Sequence, residues 1–258
     1  MHFSHGICML FLCNLVKPKR KMVEVALYQK SNYHILQSER KEYTMKENTK
    51  LKTNSATDYI AYALYAFGGL GTEILLMMIE TNMYGQTSDT WSTTQNIIHW
   101  IIICLIWGAL GMLLVKQLPS VSKNNTRKVN LILAITIIAV SIVYTSLVWN
   151  GFKPIIELSN LGISKFLFQY VYYAFECLLI MLIIAHGQKA FDIWFSNRKF
   201  IPFGGILLAI TWGLIHIVTQ GVSTGIYTVI QSLLYGSVYI VLKDYKISYV
   251  AITLMFML

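Results

Sequence analysis

The sequence predicts an all-α, polytopic transmembrane helix bundle with six full spans and a short seventh helix at the carboxyl end. Three observations lead to this prediction. Hydrophobic residues make up 55% of the chain and charged residues only 13%, a composition that departs from that of soluble domains. The apolar residues also fall in runs of about 20, the length that a helix needs to cross a bilayer. In lipid, such a run satisfies its backbone hydrogen bonds by forming a helix.

The predicted spans follow one another from residue 59 to the end of the chain. The first, 59–79, has Gly68, Gly69 and Gly71 in its middle, where small residues allow a neighbouring helix backbone to approach closely. A proline and two glycines predict a loop with a short interfacial segment over 150–165, and the mixture of aromatic and basic residues at 186–200 is typical of the headgroup layer. The remaining spans are 97–115, 129–149, 166–185, 201–218 and 226–242, followed by the short apolar helix 247–258.

Lysines and arginines divide unevenly between the two sides that this topology implies. The segments on the amino-terminal side hold 19 of the 21, and the segments on the opposite side hold two. Because positive residues concentrate in cytoplasmic segments of membrane proteins, we predict a cytoplasmic amino terminus and a multi-pass protein of the plasma membrane. The net charge of +9 is then explained by topology. We therefore predict the lipid bilayer as a partner and no nucleic acid.

Residues 1–57 are predicted to form a basic, polar cytoplasmic region separate from the bundle at 58–258. The apolar stretch 7–16 is about half as long as a span, and the basic run 17–21 follows it, whereas a signal peptide begins with its basic residues. Met1, Met22 and Met45 are all compatible starts, because each leaves every predicted span in place. The cysteines form no CxxC pair and no cluster with histidine, so we predict no disulfide framework, no metal site and no cofactor.

Two adjacent predicted spans each carry one strongly polar residue, Glu176 and His216. A charge inside a span costs at least ~2.5 kcal/mol, so Glu176 is expected to face the protein interior and to find a partner there. Trp212, His216 and Gln220 are four residues apart and share one helix face, which makes His216 the expected partner. A carboxylate opposite an imidazole can act as a general base towards water, or it can simply join two helices by a hydrogen bond. Both interpretations remain open.

Two further ionisable residues lie within predicted spans, Glu73 in the first and His99 in the second. Their places beside glycines or near a span end are typical of packing or interfacial residues. A hypothesis from another functional class makes Glu73 and Glu176 the proton-linked sites of a small transporter or permease-like bundle. Inverted repeats would favour that hypothesis, but the first three spans show no convincing similarity to the next three.

Two short segments, Phe-Glu-Cys-Leu-Leu-Ile-Met at 175–181 and Trp-Gly-Leu-Ile-His at 212–216, resemble motifs of a known family. They are similar to the Glu-Glu-x-x-x-Arg and Phe-x-x-x-His motifs of the CPBP family, the membrane-embedded CAAX proteases and bacteriocin-processing proteins, also called the ABI family. The first segment keeps Glu176 but has Cys177 and Met181 in place of the second Glu and the Arg. The second segment keeps His216 and has Trp212 in place of Phe. The resemblance covers about 160–258.

This resemblance implies an intramembrane glutamate-type peptidase in which Glu176 and His216 activate water against the carbonyl of a membrane-associated or prenylated peptide. The family's third motif, His-x-x-x-Asn or Asp, stabilises the oxyanion and is missing near Leu254 and Leu258. Losing one oxyanion donor typically costs ~10²- to 10³-fold in rate. Possible supporting residues are Trp212, Gln220, Gln231 and Glu73. The leading hypothesis is therefore a divergent CPBP-like membrane protein that is weakly active or only binds a peptide.

Overall fold

The computed structural model describes Gln37 and residues 54–119, 131–196 and 200–258. The chain divides into two units, Met1–Thr53 and Asn54–Leu258, and the helices discussed below all lie in the second. The features predicted for the amino-terminal region, including the apolar stretch 7–16 and the basic run 17–21, lie outside the described residues.

Seven helices and one short 3₁₀-helix (Ser88–Thr90) form the regular structure in the described part of the second unit, which contains no strand. Six of the seven helices are long and apolar enough to cross a membrane, and the seventh is a shorter apolar helix. This architecture confirms the predicted all-α polytopic helix bundle. The helices are α1 (Ala56–Tyr84), α2 (Thr93–Val115), α3 (Leu131–Val148), α4 (Lys153–Trp194), α5 (Phe203–Gln220), α6 (Val222–Leu242) and α7 (Tyr245–Met257).

Side-chain caps determine where α1 and α2 begin. The Ser55 hydroxyl accepts a hydrogen bond from the Asp58 backbone N–H at 3.2 Å, and the Asp58 carboxylate accepts one from the Ser55 backbone N–H at 2.7 Å. Ser92 and Gln95 form the same reciprocal capping box at α2. Helix α1 extends beyond the predicted span 59–79 at both ends, and its last turns add the carboxylate of Glu80, which lies outside that span.

Helix α4 is central to the bundle, because it packs against α1, α2, α5 and α7. Residues 179–185 of α4 are buried along their whole length. The sequence predicts that this span ends at residue 185, but the helix continues to Trp194 and buries His186 and Gln188 as well. The predicted position of this segment at the headgroup layer stays a prediction. Gln188 is covered by the start of α5, where its side-chain oxygen accepts a hydrogen bond from the Gly204 N–H at 3.1 Å.

The predicted loop over 150–165 is helical from Lys153 onward, with a break at Gly162 (φ 71°, ψ 164°). In a continuous helix, Glu157 and Tyr173 would lie about 24 Å apart at about 1.5 Å of rise per residue. Instead, the Tyr173 hydroxyl donates a hydrogen bond to the Glu157 carboxylate at 2.7 Å. The chain therefore reverses at Gly162, and the helical arm 153–161 lies against the beginning of the main helix 163–194. The loop prediction is wrong, since Pro154 stands in the first turn, where it does not interrupt a helix.

Glycines allow α4, α5 and α6 to touch backbone to backbone. A Cβ atom on Gly204 would lie 2.2 Å from the carbonyl oxygen of Ile184 in α4, and one on Gly205 would lie 2.9 Å from the Cα of Gly236 in α6. Distances this short exclude any side chain. We call this contact, formed by Gly204, Gly205, Gly236 and Ile184, the glycine end of the bundle.

The three glycines of α1 differ in how closely a neighbouring helix approaches them, although the sequence predicts close packing at all three. A Cβ on Gly69 would lie 2.3 Å from a side-chain carbon of Leu110 and 3.2 Å from one of Leu179, so close packing occurs there. Gly68 and Gly71 have no such neighbour within 4 Å. The predicted close approach of a neighbouring helix is therefore limited to one of the three positions.

Candidate functional site

Glu176 lies in the main helix of α4 and is only 8% exposed, as its position in the predicted span implied. Its Oε1 atom accepts a hydrogen bond from the indole N–H of Trp212 at 3.1 Å. No hydrogen bond or ion pair among the described residues joins Glu176 directly to His216. The residue that reaches the carboxylate is Trp212, four residues before His216 on the same face of α5.

Trp212 projects from an irregular part of α5, the π-helical segment Ala209–Gly213. A π-turn contains more residues than an α-turn, and such turns are frequent at functional sites. Hydroxyl groups bind the carbonyls around this segment. The Thr211 hydroxyl donates to the Leu207 carbonyl at 2.7 Å, and the Thr228 hydroxyl of α6 donates to the Gly213 carbonyl at 3.1 Å. The irregular backbone is thus supported by side chains while it directs a buried indole towards α4.

His216 is linked to Glu176 through the same tryptophan. Its Nδ1 atom lies 2.6 Å from the Trp212 carbonyl oxygen, and the two rings meet edge to face with centroids 4.6 Å apart. Because a carbonyl oxygen can only accept, Nδ1 must carry the hydrogen and donate it. In a neutral imidazole this arrangement leaves Nε2 with its lone pair. The half-buried His216 ring therefore keeps one acceptor nitrogen, which makes no hydrogen bond to a described residue.

Glu73 of α1 belongs to the same polar region. Its Oε1 atom accepts a hydrogen bond from the Tyr172 hydroxyl of α4 at 2.7 Å, and its side chain is 33% exposed. Glu73 also lies within electrostatic reach of both Glu176 and His216. The structure thus brings this predicted supporting residue within electrostatic reach of both members of the predicted pair.

His99 is buried, as expected for the first of its two predicted roles, packing or an interfacial position. Its Nδ1 atom lies 2.5 Å from Oε2 of Glu80, and its Nε2 atom lies 3.9 Å from Oε1 of Glu73. The hydropathy pattern does not indicate Glu80, because the predicted first span ends one residue before it. A usable signal was present, since Glu73 and Glu80 are seven residues apart, close to two helical turns, and so lie on one face of α1.

A second buried cluster surrounds Lys153 at the start of the helical arm. The Lys153 ammonium donates a hydrogen bond to the Phe256 carbonyl at 2.7 Å and lies 4.7 Å from the ring centres of both Tyr173 and Phe256, a cation–π arrangement. Glu157 accepts hydrogen bonds from the hydroxyls of Tyr170 at 3.0 Å and Tyr173 at 2.7 Å. Lys153, one of the two positive residues assigned to the side opposite the amino terminus, is therefore an interior residue, and it lies within electrostatic reach of Glu176.

The two glutamines predicted as supporting residues do not contact Glu176. Gln231 is fully buried, where its side-chain oxygen accepts a hydrogen bond from the Ser141 hydroxyl at 2.7 Å and its nitrogen donates to the Thr145 hydroxyl at 2.8 Å. These bonds join α6 to α3. Gln220 is exposed at the last residue of α5. Neither amide is thus placed as an oxyanion donor beside the carboxylate.

Comparisons of the chain with protein-family models, curated proteins and solved structures found no match. The described residues include no group of three or more histidines, cysteines, aspartates or glutamates suited to hold a metal ion. What the site offers chemically is therefore a carboxylate fixed by an indole N–H and an imidazole with an available acceptor nitrogen.

Proposed function

We propose that this protein is a divergent CPBP-like integral membrane protein that binds a membrane-associated peptide at Glu176 and His216 and hydrolyses it slowly. The observation that supports this proposal best is the double role of Trp212. Its N–H binds the Glu176 carboxylate, and its carbonyl oxygen accepts the Nδ1–H of His216. One residue therefore holds both members of the pair in fixed orientations.

The chemistry of such a pair is the activation of water. Glu176 acts as the general base and removes a proton from a water molecule as the water oxygen bonds to the peptide carbonyl carbon. The Nε2 lone pair of His216 accepts a hydrogen bond from the same water and so orients it. When the carbon–nitrogen bond breaks, the proton held by Glu176 passes to the departing amine. This scheme requires no group beyond the two side chains and the water.

Slow turnover follows from the missing oxyanion donors. Each absent donor typically costs ~10²- to 10³-fold in rate. The side chain of Gln231 is already bonded to Ser141 and Thr145, and Gln220 is exposed at the end of α5. With neither amide at the carboxylate, we expect peptide binding to be the stronger activity and hydrolysis the weaker one.

The proposal is tested with purified protein in lipid nanodiscs and with prenylated or signal-like peptides. Glu176→Gln and His216→Ala are expected to weaken peptide binding at least tenfold, and Glu176→Gln is expected to abolish slow cleavage. Gln220→Ala is the matched control, because Gln220 lies on the same predicted helix face but is exposed, and it is expected to behave as wild type. Binding and cleavage that survive both site substitutions would contradict the proposal.

A second candidate function is a small proton-linked transporter. The observation that favours it is the electrostatic proximity of Glu73 on α1 and Glu176 on α4, two interior carboxylates on different helices. Ionisable residues inside a membrane bundle often mark proton pathways. Proton-coupled uptake into liposomes is then expected to require both carboxylates. Uptake that is indifferent to Glu73→Gln and Glu176→Gln would eliminate this candidate.

A further inference from the structure

The imidazole of His99 lies between two carboxylates of α1 and away from water. Its Nδ1 atom is 2.5 Å from Glu80 Oε2, and its Nε2 atom is 3.9 Å from Glu73 Oε1. His99 is 5% exposed and Glu80 is 4% exposed. The charged groups that act on His99 among the described residues are these two glutamates. From the neighbouring α4, the Tyr172 hydroxyl faces the pair and donates a hydrogen bond to Glu73.

At least one proton must lie between His99 and Glu80. A nitrogen and an oxygen approach to 2.5 Å only with a hydrogen between them, whether the imidazole N–H or a carboxyl O–H donates it. The other oxygen of Glu80, Oε1, is buried and has no hydrogen-bond partner in the described part of the chain. Burying a charge without compensation is costly, and among the described residues an ionised Glu80 finds that compensation in a positively charged imidazole at His99.

The opposite side of the ring provides a second position for a proton. The separation of 3.9 Å between Nε2 and Glu73 Oε1 is about 1 Å longer than a hydrogen bond, so a small side-chain movement makes or breaks the contact. The Glu73 side chain is 33% exposed, whereas the His99 side chain is 7% exposed. Glu73 is therefore the more accessible of the two groups, and a proton can reach His99 through it.

We propose that Glu73, His99 and Glu80 form a proton-binding site in which His99 holds a second ring proton and exchanges it with water through Glu73. The Glu73 carboxylate takes a proton from water and becomes a neutral carboxyl group. This O–H proton then passes to Nε2 of His99, Glu73 becomes a carboxylate again, and the Nδ1 proton stays in place opposite Glu80. Release follows the same steps in reverse, and the net charge of the three residues changes by one.

The bound proton alters the electrostatic field at the proposed peptide site. The negative charge of Glu73 interacts electrostatically with both Glu176 and His216. A positive charge on His99, beside Glu73, offsets that negative charge at both residues. The proton-binding site goes beyond peptide binding and does not depend on whether Glu176 hydrolyses anything. It would equally supply the bound proton that the transporter candidate requires.

The test is nitrogen NMR of protein with isotope-labelled histidine in lipid nanodiscs at pH 7.5, where an exposed histidine is mostly neutral. The signals of His99 are assigned from their absence in His99→Gln. In the wild type we expect both ring nitrogens of His99 to carry protons. Glu73→Gln and Glu80→Gln are each expected to leave a single protonated ring nitrogen. Glu157→Gln is the matched control, since this buried carboxylate bonds to Tyr170 and Tyr173, and it is expected to leave the His99 signals unchanged.

A wild-type His99 with one protonated ring nitrogen at pH 7.5 would overturn the proposal. So would a doubly protonated ring that both glutamate substitutions leave unchanged. Should the glutamate variants fail to fold, the wild-type measurement still decides between a singly and a doubly protonated ring. The experiment contains no peptide, so its failure and the failure of the peptide-binding proposal are separate results.

Discussion

The contact between α4 and α5 differs at its two ends: one end is close backbone packing, and the other is a hydrogen bond between buried polar side chains. At the glycine end, Gly204 and Gly205 of α5 lie directly against the backbones of α4 and α6. At the other end, the Trp212 indole N–H donates a hydrogen bond to Glu176, and His216 binds the carbonyl oxygen of Trp212. Backbones in van der Waals contact fix two helices in one arrangement. A buried carboxylate, in contrast, requires a partner, so the polar end is the part of this contact that a ligand or a proton can change.

The largest expected effect is at the glycine end. Gly204→Ala would place a methyl group 2.2 Å from the Ile184 carbonyl oxygen, and because that atom is backbone, the helices must separate. Overpacking of a well-packed core typically costs ~1–3 kcal/mol and occasionally more. Because the clash here is with backbone, we expect a loss of ~3 kcal/mol or more in the free energy of unfolding, measured in mixed micelles. Gly71→Ala is the matched control, with no neighbour within 4 Å and an expected gain of at most ~1 kcal/mol from helix propensity. Equal effects at the two positions would contradict the close contact.

The polar end is tested by Trp212→Phe, which keeps an aromatic ring but removes the N–H that binds Glu176. A buried charged acceptor that loses its donor costs ~2 kcal/mol, and we expect this loss of unfolding free energy. In a Glu176→Gln background, the same substitution is expected to cost less, which a double-mutant cycle measures. Trp100→Phe is the control, because the Trp100 indole N–H donates to no described group. A coupling energy near zero would mean that the hydrogen bond does not hold the two helices together.

A substitution at Gly162, where the chain reverses, is expected to have an intermediate effect on the free energy of unfolding, and this effect comes from backbone strain alone. Gly162 has a φ of 71° and a ψ of 164°, and a Cβ there would meet no atom within 4 Å. Only glycine adopts this region easily, and other residues are strained by ~1–3 kcal/mol. We therefore expect Gly162→Ala to lower the free energy of unfolding by ~1–2 kcal/mol, whereas Gly68→Ala, also without a neighbour, does not lower it. No loss at Gly162 would contradict the reversed helical arm.

The smallest expected effect concerns a polar contact that we regard as structural. Ser141→Ala removes the hydroxyl that donates to Gln231 and leaves one buried amide oxygen unpaired, at an expected cost of ~1 kcal/mol in unfolding free energy. Peptide binding is expected to remain at the wild-type level, which distinguishes this α3–α6 contact from the Trp212–Glu176 contact. A tenfold loss of peptide binding in Ser141→Ala would place Gln231 in the functional site after all.

The helix bundle could be predicted from the sequence because long apolar runs leave few alternatives. The same pattern correctly placed Glu176 in the interior and put Trp212 and His216 together on one face. It could not identify Trp212 as the direct partner, since the π-helical segment depends on hydroxyls such as that of Thr228, which comes from another helix. Hydropathy carries no information about such contacts between helices.

The helical arm 153–161 could not be predicted from the sequence for a related reason. Its lysine, glutamate, proline and glycine are typical of a loop in any single-sequence pattern. Their burial depends on Tyr170, Tyr173 and Phe256, which the chain brings near only after it reverses at Gly162. In the same way, Glu80 lies beyond the predicted end of the first span, and its proximity to His99 became visible only from the packing of α1 against α2.

The measurement that tests the central claim most directly is photo-crosslinking of a prenylated peptide that carries a photoreactive group, followed by mass spectrometry of the protein in nanodiscs. We predict crosslinks around Glu176 and on the Trp212–His216 face of α5, and a strong reduction of these crosslinks in Glu176→Gln but not in Gln220→Ala. Crosslinks confined to the exposed apolar surface, or crosslinks at the site that Glu176→Gln leaves unchanged, would contradict a peptide site at Glu176 and His216.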